Sequence, residues 1–261
     1  MTKRIIVKKE GAVGRLIFNQ PKRRNAISLE MWQAIPAILK DFAEDDQVRT
    51  IVLAGEGGTA FSAGADISEF DSKRSSDEEM TNYNHAVGQA EESLGEIDKP
   101  TVAHIEGFCM GGGMALALCC DLRIAADDAY FGITPARLGV GYEFSKIQPL
   151  VQLVGPSFAK EILFTGRRFN AQEALSMGLI NRLISKAEID RYVNVYADNI
   201  ANNAPLTVFA SKTIVRQVLI DPRERDMELC QKVVDVCNQS DDYREGRRAF
   251  MEKRPPEFTG K

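Results

Sequence analysis

Two stretches of small residues carry the first hint of chemistry. In Ile105-Glu106-Gly107-Phe108-Cys109-Met110-Gly111-Gly112-Gly113, three consecutive glycines end an apolar strand and open an apolar helix that runs on through Met114 to Cys120. A helix start leaves backbone N–H groups unpaired and carries partial positive charge, and glycine lets an oxygen approach those groups without meeting a Cβ. The second stretch, Phe61-Ser62-Ala63-Gly64-Ala65-Asp66-Ile67, leaves another apolar strand in residues small enough for close backbone approach. Two such sites can present two N–H donors to one oxygen, which is what an enolate or tetrahedral oxyanion derived from a thioester carbonyl requires. The spacing is neither G-x-G-x-x-G nor a P-loop, because no Gly-Lys-Ser/Thr follows.

The elements that must hold these turns follow from pattern. Two short strands joined at Gly11 fill Arg4 to Asn19, and Ser28 caps a helix from Leu29 to Phe42 in which Pro36 predicts a kink. Arg49 to Ala54 and Thr101 to Ile105 read as buried strands, with a polar, mobile loop over Asp71 to Met80 and a helix over Thr81 to Ile97 between them. Leu122 to Ala126 and Tyr130 to Ile133 are further strands. Phe144 to Val154, Ser157 to Thr165 and Ala171 to Met177 are helices, the last closed by Gly178. Beyond them lie helices over Ile189 to Ala201, Pro205 to Val218, Arg223 to Gln239 and Asp242 to Lys253. Strand and helix alternate early and the end is purely helical, so an α/β core over 1–200 and a helical region over 201–261 are expected. No internal repeat is evident.

The chain has 261 residues, 44% of them hydrophobic and 27% charged, as expected of a soluble globular protein. With 33 basic against 37 acidic residues and no long run of one sign, neither nucleic acid nor a membrane is an expected partner. Five cysteines without C-x-x-C spacing, and a strand pattern directly after the N-terminus, lead us to expect a reducing, cytoplasmic setting. Of the two histidines, His104 reads as a hydrogen-bonded core residue and His85 as a surface residue, so no metal site is expected.

Taken together, Gln20 to Ala26, Phe61 to Ile67, Lys99 through Asp121, Phe164 through Asn181 and the tail Phe250 to Arg254 resemble the crotonase superfamily, the enoyl-CoA hydratase/isomerase family. The resemblance implies a crotonase-type spiral of ββα units, a helical C-terminal part used to form a homotrimer or a dimer of trimers, and an acyl-CoA substrate whose coenzyme A is no separate cofactor. It places the oxyanion hole at the N–H groups of Ala65 and Gly112. Lys22, Arg23 and Arg24 lie along the nucleotide and pantetheine path, with Ala63 and Asp66 beside them, while Phe250 and Lys253 resemble residues reaching the nucleotide of a neighbouring subunit.

The chain also departs from the family pattern. Hydratases of this family carry two glutamates that activate water; here those positions hold Ala115 and Pro135, and neither can transfer a proton. Glu143 stands where some family isomerases place a catalytic aspartate, although a helix-start carboxylate would also sit there. The run Thr134 to Tyr142 is similar to that of methylmalonyl-CoA decarboxylases, which use a tyrosine there. Three readings follow: a hydratase or isomerase of fatty or branched acyl-CoA relying on Glu143, a decarboxylase of methylmalonyl-CoA-like substrates using Tyr142, and a non-catalytic acyl-CoA binder.

Overall fold

The computed structural model describes residues 2–69 and 76–261. A hairpin of β1 (Ile5–Glu10) and β2 (Val13–Phe18) opens the chain, and Ser28 accepts from the Met31 N–H at the start of helix α1 (Leu29–Glu44). Helix α1 continues through Pro36 to Glu44. Proline forgoes one helical bond there, and the buried face of Met31, Trp32, Ile35, Ile38, Leu39 and Phe42 keeps the helix together against that loss.

Three successive units then repeat one path, each laying a strand in one sheet, a strand in a second sheet, and a helix. The first is β3 (Thr50–Gly55), β4 (Ala60–Ser62) and α2 (Asp77–Glu96). The second is β5 (Thr101–Ile105), β6 (Phe108–Met110) and α3 (Gly112–Cys119). The third is β7 (Leu122–Ala126), β8 (Tyr130–Gly132) and α4 (Phe144–Thr165). The expected ββα spiral is therefore present, as a repeat of path that the sequence does not repeat in letters. Of the loop expected at 71–80, residues 71–75 lie outside the described residues, and 77–80 already belong to α2. The two helices expected between Phe144 and Thr165 form one element broken at Gly155, whose φ of 73° and ψ of 167° interrupt the helix.

The chain continues through β9 (Phe169–Asn170), α5 (Ala171–Ser176), β10 (Arg182–Ile184) and α6 (Ile189–Ala201). It ends in α7 (Pro205–Leu219), α8 (Met227–Gln239) and α9 (Asp241–Glu252). Helix α8 starts after the residue expected, because Asp226 rather than Arg223 caps it, accepting from the Leu229 N–H. Among the described residues the larger sheet runs β1-β2-β3-β5-β7-β10, parallel beyond the first hairpin, and the smaller runs β4-β6-β8-β9.

The main core fills the face of the larger sheet that carries Leu16, Leu53, Ala103 and Ile105, under α1, α2 and α3. Val13, Val52, Val102 and Ile124 line the opposite face and are covered by Ile189, Val193 and Ala197 of α6. His104 shares this second face by alternation along β5. It is 6% exposed, yet its Nε2 makes no hydrogen bond to any described residue, contrary to the hydrogen-bonded role expected of it.

Between β2 and α1 the backbone doubles back through Arg24 and Asn25, both left-handed at φ 51° and 54°. Asn25 is fully buried and works as a clamp: its Oδ1 accepts from Gln20 N–H, and its Nδ2 donates to the carbonyls of Glu56 and Ala60 at 3.0 and 2.7 Å. Replacing it by alanine strands these groups and forces alanine into a left-handed conformation. Asn25→Ala should lose about 1–3 kcal/mol in urea-induced unfolding; a change of a few tenths would show that the clamp does not hold the loop.

Candidate active site

Three backbone segments meet at the end of the smaller sheet. The segment 23–27 runs beside 63–66: Ala63 N–H donates to Arg24 O, Ile27 N–H to Gly64 O, and Asp66 N–H to Ile27 O. The Gly64 turn in turn lies against the start of α3. A Cβ built on Gly64, whose φ is +96°, would stand 2.9 Å from the Met110 carbonyl and 3.3 Å from the Gly112 nitrogen. One built on Gly112 would stand 3.6 Å from the Ala65 nitrogen and 3.0 Å from the Trp32 ring. Glycine is thus needed at both places for the two chains to approach this closely.

The approach brings the N–H groups of Ala65 and Gly112 together, the pairing expected from sequence. No hydrogen bond between described residues uses either of them. Gly112 is the first residue of α3, where unpaired donors and the helix dipole favour negative charge. Both residues are half-buried, so an oxygen can reach them. Trp32 supports the pair from below, packing against Gly112 and donating from its indole nitrogen to Tyr83 Oη at 3.2 Å.

Beside this point lie the basic residues of the first loop. Arg23 donates to Asp66 Oδ2 at 2.7 Å and to Ser68 Oγ at 2.6 Å. Burial pushes the Asp66 carboxyl up, but the bonds from Ser68 and Arg23 outweigh it and hold the group below its usual range. Asp66 is 4% exposed, so its carboxylate shapes the loop from inside. Arg24 stacks its guanidinium over the Phe108 ring, 4.8 Å from the centroid, and Lys22 and Ala63 are exposed. Phe250 and Lys253 are elsewhere, on and just after α9, with the Phe250 ring 83% exposed. Within one chain, then, Lys22, Arg23, Arg24, Ala63 and Asp66 gather near Ala65, and Phe250 and Lys253 do not join them.

Ala115 is buried on α3, one turn after Gly111, and Pro135 heads a short turn after β8. Glu143 occupies the N-cap of α4 without making a side-chain cap bond; its Oε2 is 3.6 Å from Lys146 Nζ, and the side chain is 62% exposed. Tyr142 packs partly against the core, and burial pushes its phenol far above its ordinary value, so it remains a neutral donor. Facing Tyr142 from α2 is a group that sequence pattern did not single out. Glu91 has a buried Oε1 with no hydrogen-bond partner among the described residues. Burial raises its pKa to about 7, with Lys146 pulling down and Glu143 pushing up. Both Tyr142 and Cys119 feel its charge. Cys119 ends α3, the helix that Gly112 begins. The adjacent Glu91-Glu92 reads in sequence as the solvated face of a helix, which hides the buried one.

Residues 8–261 match the family model described as enoyl-CoA hydratase/isomerase. The chain is 34% identical to a crotonyl-CoA hydratase of Syntrophomonas wolfei, covering 98% of each protein. It is 34% identical to a carnitinyl-CoA dehydratase of Proteus mirabilis over 96% of each. Its fold superimposes with a TM-score of 0.93 on an enoyl-CoA hydratase of Bacillus anthracis, at 30% identity and covering 99% of this chain and 100% of that one.

The buried carboxyl has a consequence for stability. A carboxyl whose folded pKa lies above its unfolded value stabilises the fold most below the unfolded pKa, and that contribution is lost as pH rises through the folded one. Glu91→Gln should therefore gain stability relative to the parent as pH rises from 4.5 to about 7, by up to about 3 kcal/mol, and hold that difference above. Urea midpoints measured across this range check it, and a pH-independent difference would place Glu91 in solvent.

Proposed function

The chain belongs to the enoyl-CoA hydratase/isomerase family, and from that premise we propose that it shifts a proton along the acyl chain of a coenzyme A thioester. The carrying observation is the convergence of the Ala65 and Gly112 amides. The thioester oxygen accepts from both N–H groups, and negative charge that develops there when the C2 proton leaves is stabilised by donors already in place. Glu143 takes the proton from C2 and returns it at C4, so that the double bond moves into conjugation and no atom is gained or lost. Glu91 supplies the second carboxyl of the cluster, and its pKa of about 7 suits acid/base work at neutral pH. Water addition by the family's two-glutamate arrangement is not favoured, because Ala115 and Pro135 carry no carboxylate at those two positions.

Lys22, Arg23 and Arg24 hold the phosphates and pantetheine in this reading, beside Ala63 and Asp66, while Phe250 and Lys253 of a neighbouring copy reach the nucleotide. The helical region 201–261 forms the trimer, alone or as a dimer of trimers. Coenzyme A arrives with the substrate and no further cofactor takes part. No helix among the described residues is long and apolar enough to cross a membrane.

One observation favours a second reading. The neutral hydroxyl of Tyr142 could orient the carboxylate of a malonyl-type thioester, whose loss as carbon dioxide needs the same enolate hole but no base. Against it, Glu91 and Glu143 flank that hydroxyl and would repel a substrate carboxylate.

Mass spectrometry over a panel of acyl-CoA thioesters separates the cases. A 3-enoyl-CoA should be converted to the 2-enoyl isomer without change of mass and with deuterium uptake from heavy water. Glu143→Gln should lower kcat/KM by roughly 100- to 10,000-fold. Loss of carbon dioxide from a methylmalonyl thioester, abolished in Tyr142→Phe, would replace proton transfer by decarboxylation. Tight binding without turnover would reduce the protein to a carrier.

A further inference from the structure

The second face of the larger sheet carries a group of donors that the acyl-CoA site does not use. His104 on β5, Glu106 just after it and Asp190 in the first turn of α6 converge there. His104 Nε2 is 3.6 Å from Glu106 Oε2 and 3.7 Å from Asp190 Oδ1, and the three ligand atoms all lie within 4.8 Å of one another. These separations are too long for hydrogen bonds. The two distances from the imidazole nitrogen are close to the edges of a coordination tetrahedron, since metal–ligand bonds of 2.0–2.2 Å put neighbouring ligands about 3.4 Å apart, and the exposed Asp190 side chain is free to close the third.

Burial adds an independent observation. His104 is 6% exposed and its Nε2 is left without a partner, aimed at two carboxylates. A buried polar atom without a partner costs free energy that the fold normally avoids. The remaining charges around the cluster are already engaged. Lys186 Nζ donates to the Gly58 carbonyl at 2.7 Å and pairs with Asp128, and Arg15 donates to Glu10 at 2.6 Å and to Asn194 at 2.5 Å. Lys186 and Arg15 still act electrostatically on Glu106 and His104 respectively. With Lys186 and Arg15 each matched by a carboxylate outside the cluster, Asp128 and Glu10, the charges of Glu106 and Asp190 remain to balance a divalent ion.

We infer that His104, Glu106 and Asp190 form a binding site for a borderline divalent transition metal ion, zinc by preference. One imidazole nitrogen with two carboxylate oxygens is a donor set suited to zinc, whereas calcium and magnesium favour all-oxygen sets. Asp190, with its side chain 84% exposed, leaves the fourth position open to water and provides the path of entry. An ion there ties the end of β5 to the start of α6, on the opposite side of the sheet from the acyl-CoA site, and its role is structural.

The test uses full-length protein stripped with a chelator and titrated calorimetrically with zinc chloride, with thermal unfolding followed in parallel. One zinc per chain should bind and raise Tm. Asp190→Asn, on an exposed side chain that the fold does not need, should weaken binding by tenfold or more and remove the rise in Tm, as should Glu106→Gln. Cobalt substituted for zinc should give the intense visible bands of a tetrahedral ion, lost in Asp190→Asn. Absence of stoichiometric binding overturns the site. So does binding that both variants retain, or that disappears when Cys119, Cys230 and Cys237 are alkylated, since the ion would then sit on thiols.

Discussion

The enolate chemistry proposed for this chain depends on one contact without side chains, where the Gly64 turn meets the Met110–Gly112 turn. Backbone must touch backbone for the Ala65 and Gly112 amides to face one point, and neighbouring positions are as tightly restricted. A Cβ on Gly113 would lie 2.6 Å from Ser62 Cβ, and one on Gly107 would lie 2.0 Å from the Thr59 carbonyl. These contacts join β4 to β6 and to the start of α3 with no slack for a methyl group. Trp32 fills the space beneath, and its bond to Tyr83 links α1 and α2 to the same point. The alternating placement of strands in two sheets is what brings segments nearly fifty residues apart to one edge.

Arg23, held by Asp66 and Ser68, and Arg24, over the Phe108 ring, put positive charge beside that edge, which in our proposal faces the anionic nucleotide. Glu91 and Glu143 form an acidic pair, from α2 and the start of α4, on which Lys146 acts in the opposite sense. Ala115 and Pro135 carry no carboxylate, while α2 supplies the buried carboxyl of Glu91. In the proposed reaction, proton transfer between C2 and C4 therefore falls to Glu143 and Glu91 while the backbone donors hold the enolate.

Much of this was legible in the sequence because it rests on local rules. The Ser28 cap, the hairpin at Gly11, the triple glycine and the apolar strands each announce themselves within a few residues. The break at Gly155 separated two helical patterns as expected. What stayed hidden depends on partners distant in sequence. Asn25 looks like an ordinary turn residue until the carbonyls of Glu56 and Ala60 arrive. Glu91 looks like one of a pair of surface glutamates until α3 and α4 cover it. His104 looked satisfied, because nothing local shows that Asp190 folds back over β5 without reaching hydrogen-bond distance.

The proposed enolate donors are main-chain amides, which no substitution other than proline can delete. Side chains around them can drift, as Ala115 and Pro135 show, while the capacity to hold the charged intermediate persists. A lineage built on such a contact can abandon one chemistry before acquiring the next without passing through an inert protein. The narrow gap between Gly64 and Gly112 thus amounts to a capacity for evolvability: the steric demand falls on a few glycines, and the acid/base side chains around them are free of it.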